Sequence, residues 1–236
     1  MSSGSPGRPI GASCTSGTIC TAGVCGGGTG PTIYFSDDFS DNSGQWDSTT
    51  EGKFRDGIQN GKYVQEILQD PNGGVQVFAA STARTPDLDN LGDVSVQVTA
   101  TKTAGSGANG YGLACRTGGG TLSYYFVVGS TGGWAIEKSD AGGQPVLKQG
   151  TDPFIKKGNN APNTIRGVCV GGTKGTPVTL TLFVNGHKVD SVQDTPDAQV
   201  PGDTAGVFSA GTVGLVSVGN KGLTVEFDDF RVEAAG

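Results

Sequence analysis

Beyond residue 31 the chain holds no stretch of sustained helical period; short apolar runs alternate with polar residues and break at glycines. This alternation limits the fold more than any other feature. In DVSVQVTATK (93–102), Val94, Val96 and Val98 alternate with Ser95, Gln97 and Thr99, the period-2 pattern of a strand with one buried face. Comparable runs are GKYVQEIL (61–68), VQVFAA (75–80), GYGLACR (110–116), LSYYFVV (122–128) and WAIEK (134–138). They continue with NTIRGVCV (163–170), PVTLTLFVNGHKV (177–189), AGVFSA (205–210), VGLVSV (213–218) and LTVEFDDFRV (223–232). Asn185-Gly186 divides the longest of them and predicts a two-residue hairpin turn, which needs positive φ at both positions. Many short antiparallel strands predict an all-β fold: a two-sheet antiparallel β-sandwich, or jelly roll.

The 42 glycines among 236 residues, with only 16% charged residues, do not signal disorder. A disordered chain carries high net charge and few β-branched residues. After residue 32 this one is rich in Val, Thr, Tyr and Phe, and its glycines fall between the apolar runs as turns. Residues 1–31 are different: Gly, Ser, Thr and Pro, three cysteines, and no aromatic or acidic residue. They read as a flexible, cysteine-bearing arm, with GGGTGPT (26–32) as a linker. Residues 32–236 read as one sandwich domain.

Composition excludes several functions. His187 is the only histidine, so a His-based zinc site or any scheme needing two imidazoles is ruled out. The net charge of −6 argues against nucleic acid as a partner, which requires clustered Lys and Arg. No apolar run approaches the roughly 20 residues of a membrane helix, so membrane insertion by this chain is not expected. The opening MSSGSPGRPIGAS lacks the apolar stretch of a signal peptide, and an export or anchor sequence is expected outside the chain.

Cys115 and Cys169 lie in strand-like runs and are expected to form a disulfide across neighbouring strands of one core; two buried free thiols are the other reading. Cys14, Cys20 and Cys25 are spaced C-x5-C-x4-C with no fourth ligand nearby, which disfavours zinc. Two of them are expected to pair locally, leaving the third free or available for self-association.

The segments YFSDDFSDNSGQWD, GYGLACR, YYFVV, GGWAIEK, NTIRGVCVGG, LTLFVNGHKV and VEFDDFRV, in that order, resemble the concanavalin A-like, laminin-G-like jelly-roll domains of bacterial extracellular or surface proteins. These include sensor regions attached to membrane serine/threonine kinases. The resemblance covers residues 33–233 and implies a concanavalin A-like sandwich whose first and last strands pair. It would bring together Phe35-Ser-Asp37-Asp38-Phe39 and Phe227-Asp228-Asp229-Phe230. Similar jelly rolls often carry one structural Ca²⁺ there, with Asp38 and Asp228 as the expected side-chain ligands. In the other reading each Asp caps a turn.

Retaining glucanases of the same superfamily place two catalytic glutamates on one strand, as E-x-D-x-E or E-x-D-x-x-E. Glu226-Phe-Asp228 begins that pattern, but Phe230 or Arg231 stands where the second Glu belongs, and Glu137-Lys-Ser-Asp140 also lacks one. No Ser or Cys has a plausible His partner, so no catalytic residues are expected. A binding reading fares better. With Cys115 and Cys169 facing the core, parity sends Arg116 and Arg166 to the outer face of the sheet, which the resemblance makes the concave, ligand-bearing one. Tyr125, Trp134 and Glu137 are the expected companions, although aromatics in such strands are commonly core residues.

The expected function is therefore a non-catalytic extracellular or cell-surface module binding a glycan or cell-wall polymer, the sensor or attachment part of a bacterial surface protein. The alternatives are a polysaccharide-active hydrolase or lyase of the same fold, and a surface assembly subunit linked through its N-terminal cysteines.

Overall fold

Alternation decides which face each strand buries, and in the computed structural model it builds two antiparallel sheets. The structure describes residues 18–21, 24–27, 30–49, 52–70, 77–107, 109–118, 122–140, 143–197, 200–203 and 206–235. Of 18–21, 24–27 and 77–81 only the backbone is described. Strands β1 (Thr18–Thr21) and β2 (Val24–Gly27) form a separate hairpin in which Cys20 and Cys25 are register partners. Cys14 and the pairing of the three N-terminal cysteines lie outside the described residues.

The six-stranded sheet contains β6 (Val77–Thr82), β8 (Asn109–Gly118), β9 (Leu122–Val128), β10 (Gly133–Ser139), β11 (Val146–Thr151) and β15 (Thr212–Gly219). Their spatial order is β11-β10-β9-β8-β15-β6. The opposing sheet runs β14-β13-β12-β7-β16-β5-β4. Its strands are β4 (Phe54–Gln59), β5 (Lys62–Ile67), β7 (Val94–Ala104), β12 (Asn163–Gly171), β13 (Val178–Val184), β14 (His187–Asp194) and β16 (Thr224–Ala234). β3 (Ile33–Asp37) completes it by pairing with the second half of β16, so the first strand of the domain and the last do pair. Asn185 (φ 52°) and Gly186 (φ 83°) make the expected hairpin turn, and Asn60-Gly61 makes the same turn between β4 and β5.

Leu113, Phe126, Ile136 and Leu215 of one sheet and Val96, Val98, Ile165, Leu180 and Phe227 of the other are wholly buried between the two. The sheets come closest at Gly167, where a Cβ would lie 2.5 Å from the Phe126 ring and 2.7 Å from Leu113. Trp46 packs edge-on against Phe230 at 5.0 Å and donates Nε1–H to Asp37 at 2.8 Å. That bond passes over Gly44, whose Cβ would sit 2.3 Å from the Asp37 carboxylate.

Two expectations need correction. The Cys115–Cys169 disulfide forms, but it joins β8 of one sheet to β12 of the other across the core, not neighbouring strands of one sheet. A cross-link spanning 54 residues stabilises such a fold by about 2–4 kcal/mol. The run AGVFSA is no strand where it is described: Val207 and Phe208 lie in irregular chain. Side chains claim its backbone groups, Phe208 N–H donating to the Tyr124 hydroxyl and Phe208 C=O accepting from Arg116. The polar strands β4 and β11 escaped the sequence reading because each is a sheet edge, where alternation is weak.

Candidate functional site

The inter-sheet disulfide splits the expected ligand cluster. Arg116 belongs to the six-stranded sheet and Arg166 to the eight-stranded one, so no single face holds both. Arg116 also breaks parity. Its φ of +53° marks a bulge where the registers with β9 and β15 both shift, and the side chain turns inward to zero exposure. There it donates to Phe208 O at 2.7 Å, Gly92 O at 3.3 Å and Asp93 Oδ1 at 3.2 Å. Arg116 therefore holds the 206–211 segment to the sheet and is not on a ligand face. Trp134 shares the inward parity of Ile136 and packs into the core at its β11 edge, where a Cβ on Gly150 would touch its indole at 3.0 Å.

Tyr125 and Glu137 stay together. They are cross-strand partners on β9 and β10 and face outward from the six-stranded sheet. An antiparallel sheet with one face on the core ordinarily shows polar residues on the other. Here that outward face is apolar: Ala114, Tyr125, Val127, Ala135 and Val216 pack as a second cluster, each less than 9% exposed. Gly110 and Gly112 occupy the intervening positions of β8. Glu137 stands at the border of this floor and accepts from Gln144 Nε2 at 2.7 Å. Burial pushes its carboxyl above the usual carboxylate range, while the Gln144 bond opposes that shift. Burial likewise raises the Tyr125 phenol, whose hydroxyl is bonded to Ser123 and Ser139. A cavity of about 220 Å³ is lined by Asn109, Val127, Thr131, Trp134, Ala135 and Glu137, so the structure brings the expected Trp134 and Glu137 to one cavity. A cavity with apolar walls and a carboxylate and an amide at its rim matches a sugar ring, which offers a C–H face and a rim of hydroxyls.

The opposite sheet carries Arg166, half-buried on the outer face with its guanidinium over the Phe183 ring, Cζ 3.9 Å from the centroid. His187 stacks on exposed Phe154 with ring centroids 3.5 Å apart.

Sequence reasoning missed a buried polar cluster between the two sheets. In WAIEK the inward parity of Trp134 and Ile136 extends to Lys138, which is completely buried. Its ammonium meets Asp203 at 2.7 Å, Asp194 at 3.4 Å and Gly206 O at 2.7 Å. Tyr124 donates to Asp194 as well. Burial raises the Asp194 carboxyl, against the Tyr124 bond and the Lys138 charge that lower it. Lysine at a core-parity position was the available signal, since a buried ammonium demands carboxylate partners.

The acidic doublets meet, with Asp37 opposite Phe230. The cleft at their junction is lined by Asp37, Asp38, Asp41 and Asp229, but not by Asp228. The Asp37, Asp38 and Asp228 carboxylates already have partners. Asp37 accepts from Phe39 N–H and the Trp46 indole, Asp38 from Ser40 N–H, and Asp228 from the Lys62 ammonium. Among the described residues no three His, Cys, Asp or Glu side chains converge as a metal cage. Calcium at Asp38 and Asp228 stands as a proposal only, and chelation tests it. A bound ion requires EDTA to lower the melting temperature and Asp228→Ala to reproduce the fall; an unchanged melting temperature removes the site.

No family model matches the sequence, and no curated protein matches it either. Solved structures do match. The carbohydrate binding module CBM66 from Bacillus subtilis superposes with a TM-score of 0.56 at 15% identity, over 80% of this chain and 95% of that one. A Bacillus subtilis protein of unknown function with a galectin-like fold gives 0.57 at 14% identity, over 86% and 96%. A Bacillus licheniformis β-glucanase gives 0.50 at 12%, over 88% and 100%. At these identities the likeness establishes the concanavalin A-like jelly-roll fold. The same fold serves binding and hydrolysis, so function has to be argued from the site.

Proposed function

We propose that this chain is a non-catalytic, extracellular carbohydrate-binding module that takes a neutral glycan on the outer face of its six-stranded sheet. The observation that carries the reading is the cavity on that face, lined by Asn109, Val127, Trp134, Ala135 and Glu137 beside the Glu137–Gln144 pair. The likeness to a carbohydrate binding module supports it at the level of fold. A disulfide between two buried strand cysteines fits an oxidising compartment. No helix of the described residues is long and apolar enough to cross a membrane.

Hydrolysis by paired carboxyl groups needs two of them about 5–10 Å apart on one face of the substrate. Glu137 faces outward, whereas Asp140, three residues on, is buried where the chain turns onto Gly143. On β16 Asp228 is held by Lys62 and Glu233 by Arg231. These pairings favour binding over cleavage.

Glu137→Ala is the direct test. Loss of charge-assisted hydrogen bonds to sugar hydroxyls should weaken binding to neutral oligosaccharides by about tenfold or more. The half-buried position should leave the melting temperature within a few degrees of wild type. Calorimetric titration of both proteins against the best ligand of a glycan array measures this, and equal affinity for the two would remove Glu137 from the site.

A further inference from the structure

The outer face of the eight-stranded sheet holds a separate groove of about 670 Å³, lined among others by Ser95, Arg166, Val168, Phe183, Lys188 and Glu233. Register sets its chemistry. Lys188, Phe183, Arg166, Gln97 and Arg231 are successive cross-strand partners on β14, β13, β12, β7 and β16. At the ~4.8 Å spacing of strands the row spans roughly 19 Å. Stacking on Phe183 fixes the plane of the Arg166 guanidinium, so its fork of donors is presented with little entropy left to lose. Among the described residues neither Arg166 nor Lys188 enters an ion pair. Glu233 of the lining is paired with Arg231, and Asp190, which feels the Lys188 charge, is paired with Lys148. In a chain of net charge −6 this is a local positive site.

Ser95 is an independent sign of a ligand. It is 4% exposed, lines the same groove, and its hydroxyl has no hydrogen-bond partner. A buried hydroxyl left without a partner is costly and needs an explanation. A ligand atom entering the groove would supply one.

We propose that this groove binds an anionic saccharide. Its oxyanion, carboxylate or sulfate, pairs with Arg166 and Lys188, a ring hydroxyl meets Ser95, and its C–H face lies against Val168 and the Phe183 ring edge. The groove crosses the faces of interior strands β7, β12 and β13. Only Lys188 comes from the edge strand β14, so the groove is built on strand faces more than on the free edge that captures extended peptides. It lies on the opposite sheet from Glu137, so the two sites are separable by mutation.

Calorimetric titration of the full chain tests this with four probes: oligogalacturonate, a heparin-derived oligosaccharide, a neutral cello-oligosaccharide and polyglutamate. Binding of either acidic saccharide, weakening as salt rises, is expected, and the stronger of the two identifies carboxylate or sulfate as the source. Arg166→Ala should reduce that affinity by about tenfold or more, and Arg166→Lys should restore only part of it. Ser95→Ala should weaken binding while leaving the melting temperature unchanged or higher, a combination that a merely structural serine does not give. Glu137→Ala should leave acidic-saccharide affinity unchanged, which keeps failure here distinct from failure of the neutral-glycan site. No binding of either acidic saccharide, binding of polyglutamate alone, or affinity indifferent to Arg166→Ala would overturn the proposal.

Discussion

Arg116→Ala should lose about 3–5 kcal/mol of stability, the cost of leaving the Gly92 and Phe208 carbonyls without their donor and of losing the packing of a wholly buried side chain; the half-exposed Asp93 adds little. In a domain of this size that is a fall in melting temperature of roughly 6–20 °C. The side chain has no exposure and donates to Gly92 O, Phe208 O and Asp93. Alanine leaves those carbonyls to find water in a space the guanidinium filled. Close packing narrows the scope for repair: a Cβ on Gly211 would lie 2.5 Å from the Arg116 backbone, and one on Gly172 2.7 Å from its Nη1. Glycan binding by the folded fraction should be unchanged, because Arg116 reaches neither outer face. Thermal unfolding and ligand titration on the same preparation separate the two effects. A stable variant that has lost its ligand would restore Arg116 to a binding role.

Lys138→Ala should cost a similar 3–5 kcal/mol, because it removes the cation from two buried carboxylates, Asp194 keeping only a neutral donor in Tyr124. Asp194 and the side chain of Asp203 have no exposure, and Lys138 is the cation both of them meet. The sign of the pH dependence follows from burial, which raises the Asp194 carboxyl in the folded state. A raised carboxyl takes up its proton in the folded chain before the unfolded one does. Its contribution to stability is therefore full below the ordinary carboxylate range, near pH 4, and is lost as pH rises through the folded value. Without Lys138 that loss extends to higher pH, so the variant should be destabilised less at about pH 5 than at about pH 7. Replacing Lys138 by Met together with Asp194→Asn and Asp203→Asn should recover much of the deficit. Urea unfolding at both pH values measures these differences, and equal destabilisation at the two would contradict the buried pairing.

Most of the fold was legible because the period of two survives wherever one strand face meets the core. Val94, Val96 and Val98 are all wholly buried, as their alternation requires. The pairing of the first and last strands of the domain followed from the resemblance and is seen in the opposition of Asp37 and Phe230. Parity failed at Arg116, where a left-handed residue inside the strand turned an outward position inward. Nothing in GYGLACR marks that bulge; it depends on the close approach of Gly211 from β15's side. The disulfide was legible as a pair but not as a bridge, since two core-facing cysteines look alike whether their strands share a sheet or oppose each other.

The candidate site was legible only in part. Tyr125 and Glu137 are neighbours as expected, because their strands are adjacent and in register. Arg166 went to the other face with its strand. The cation row it joins arises from register across five strands, which no local pattern in the sequence encodes. The Lys138 cluster is illegible for the converse reason: a charged residue at an inward position of a strand does not look like core.

We propose that this sandwich holds a glycan without cutting it. Frontal chromatography on immobilised neutral polysaccharides, with a reducing-end assay of the eluate, tests both halves at once. Retention that Glu137→Ala reduces, with no new reducing ends, is the expected result. Release of reducing ends, or passage of the wild-type protein without delay on every matrix, would contradict it.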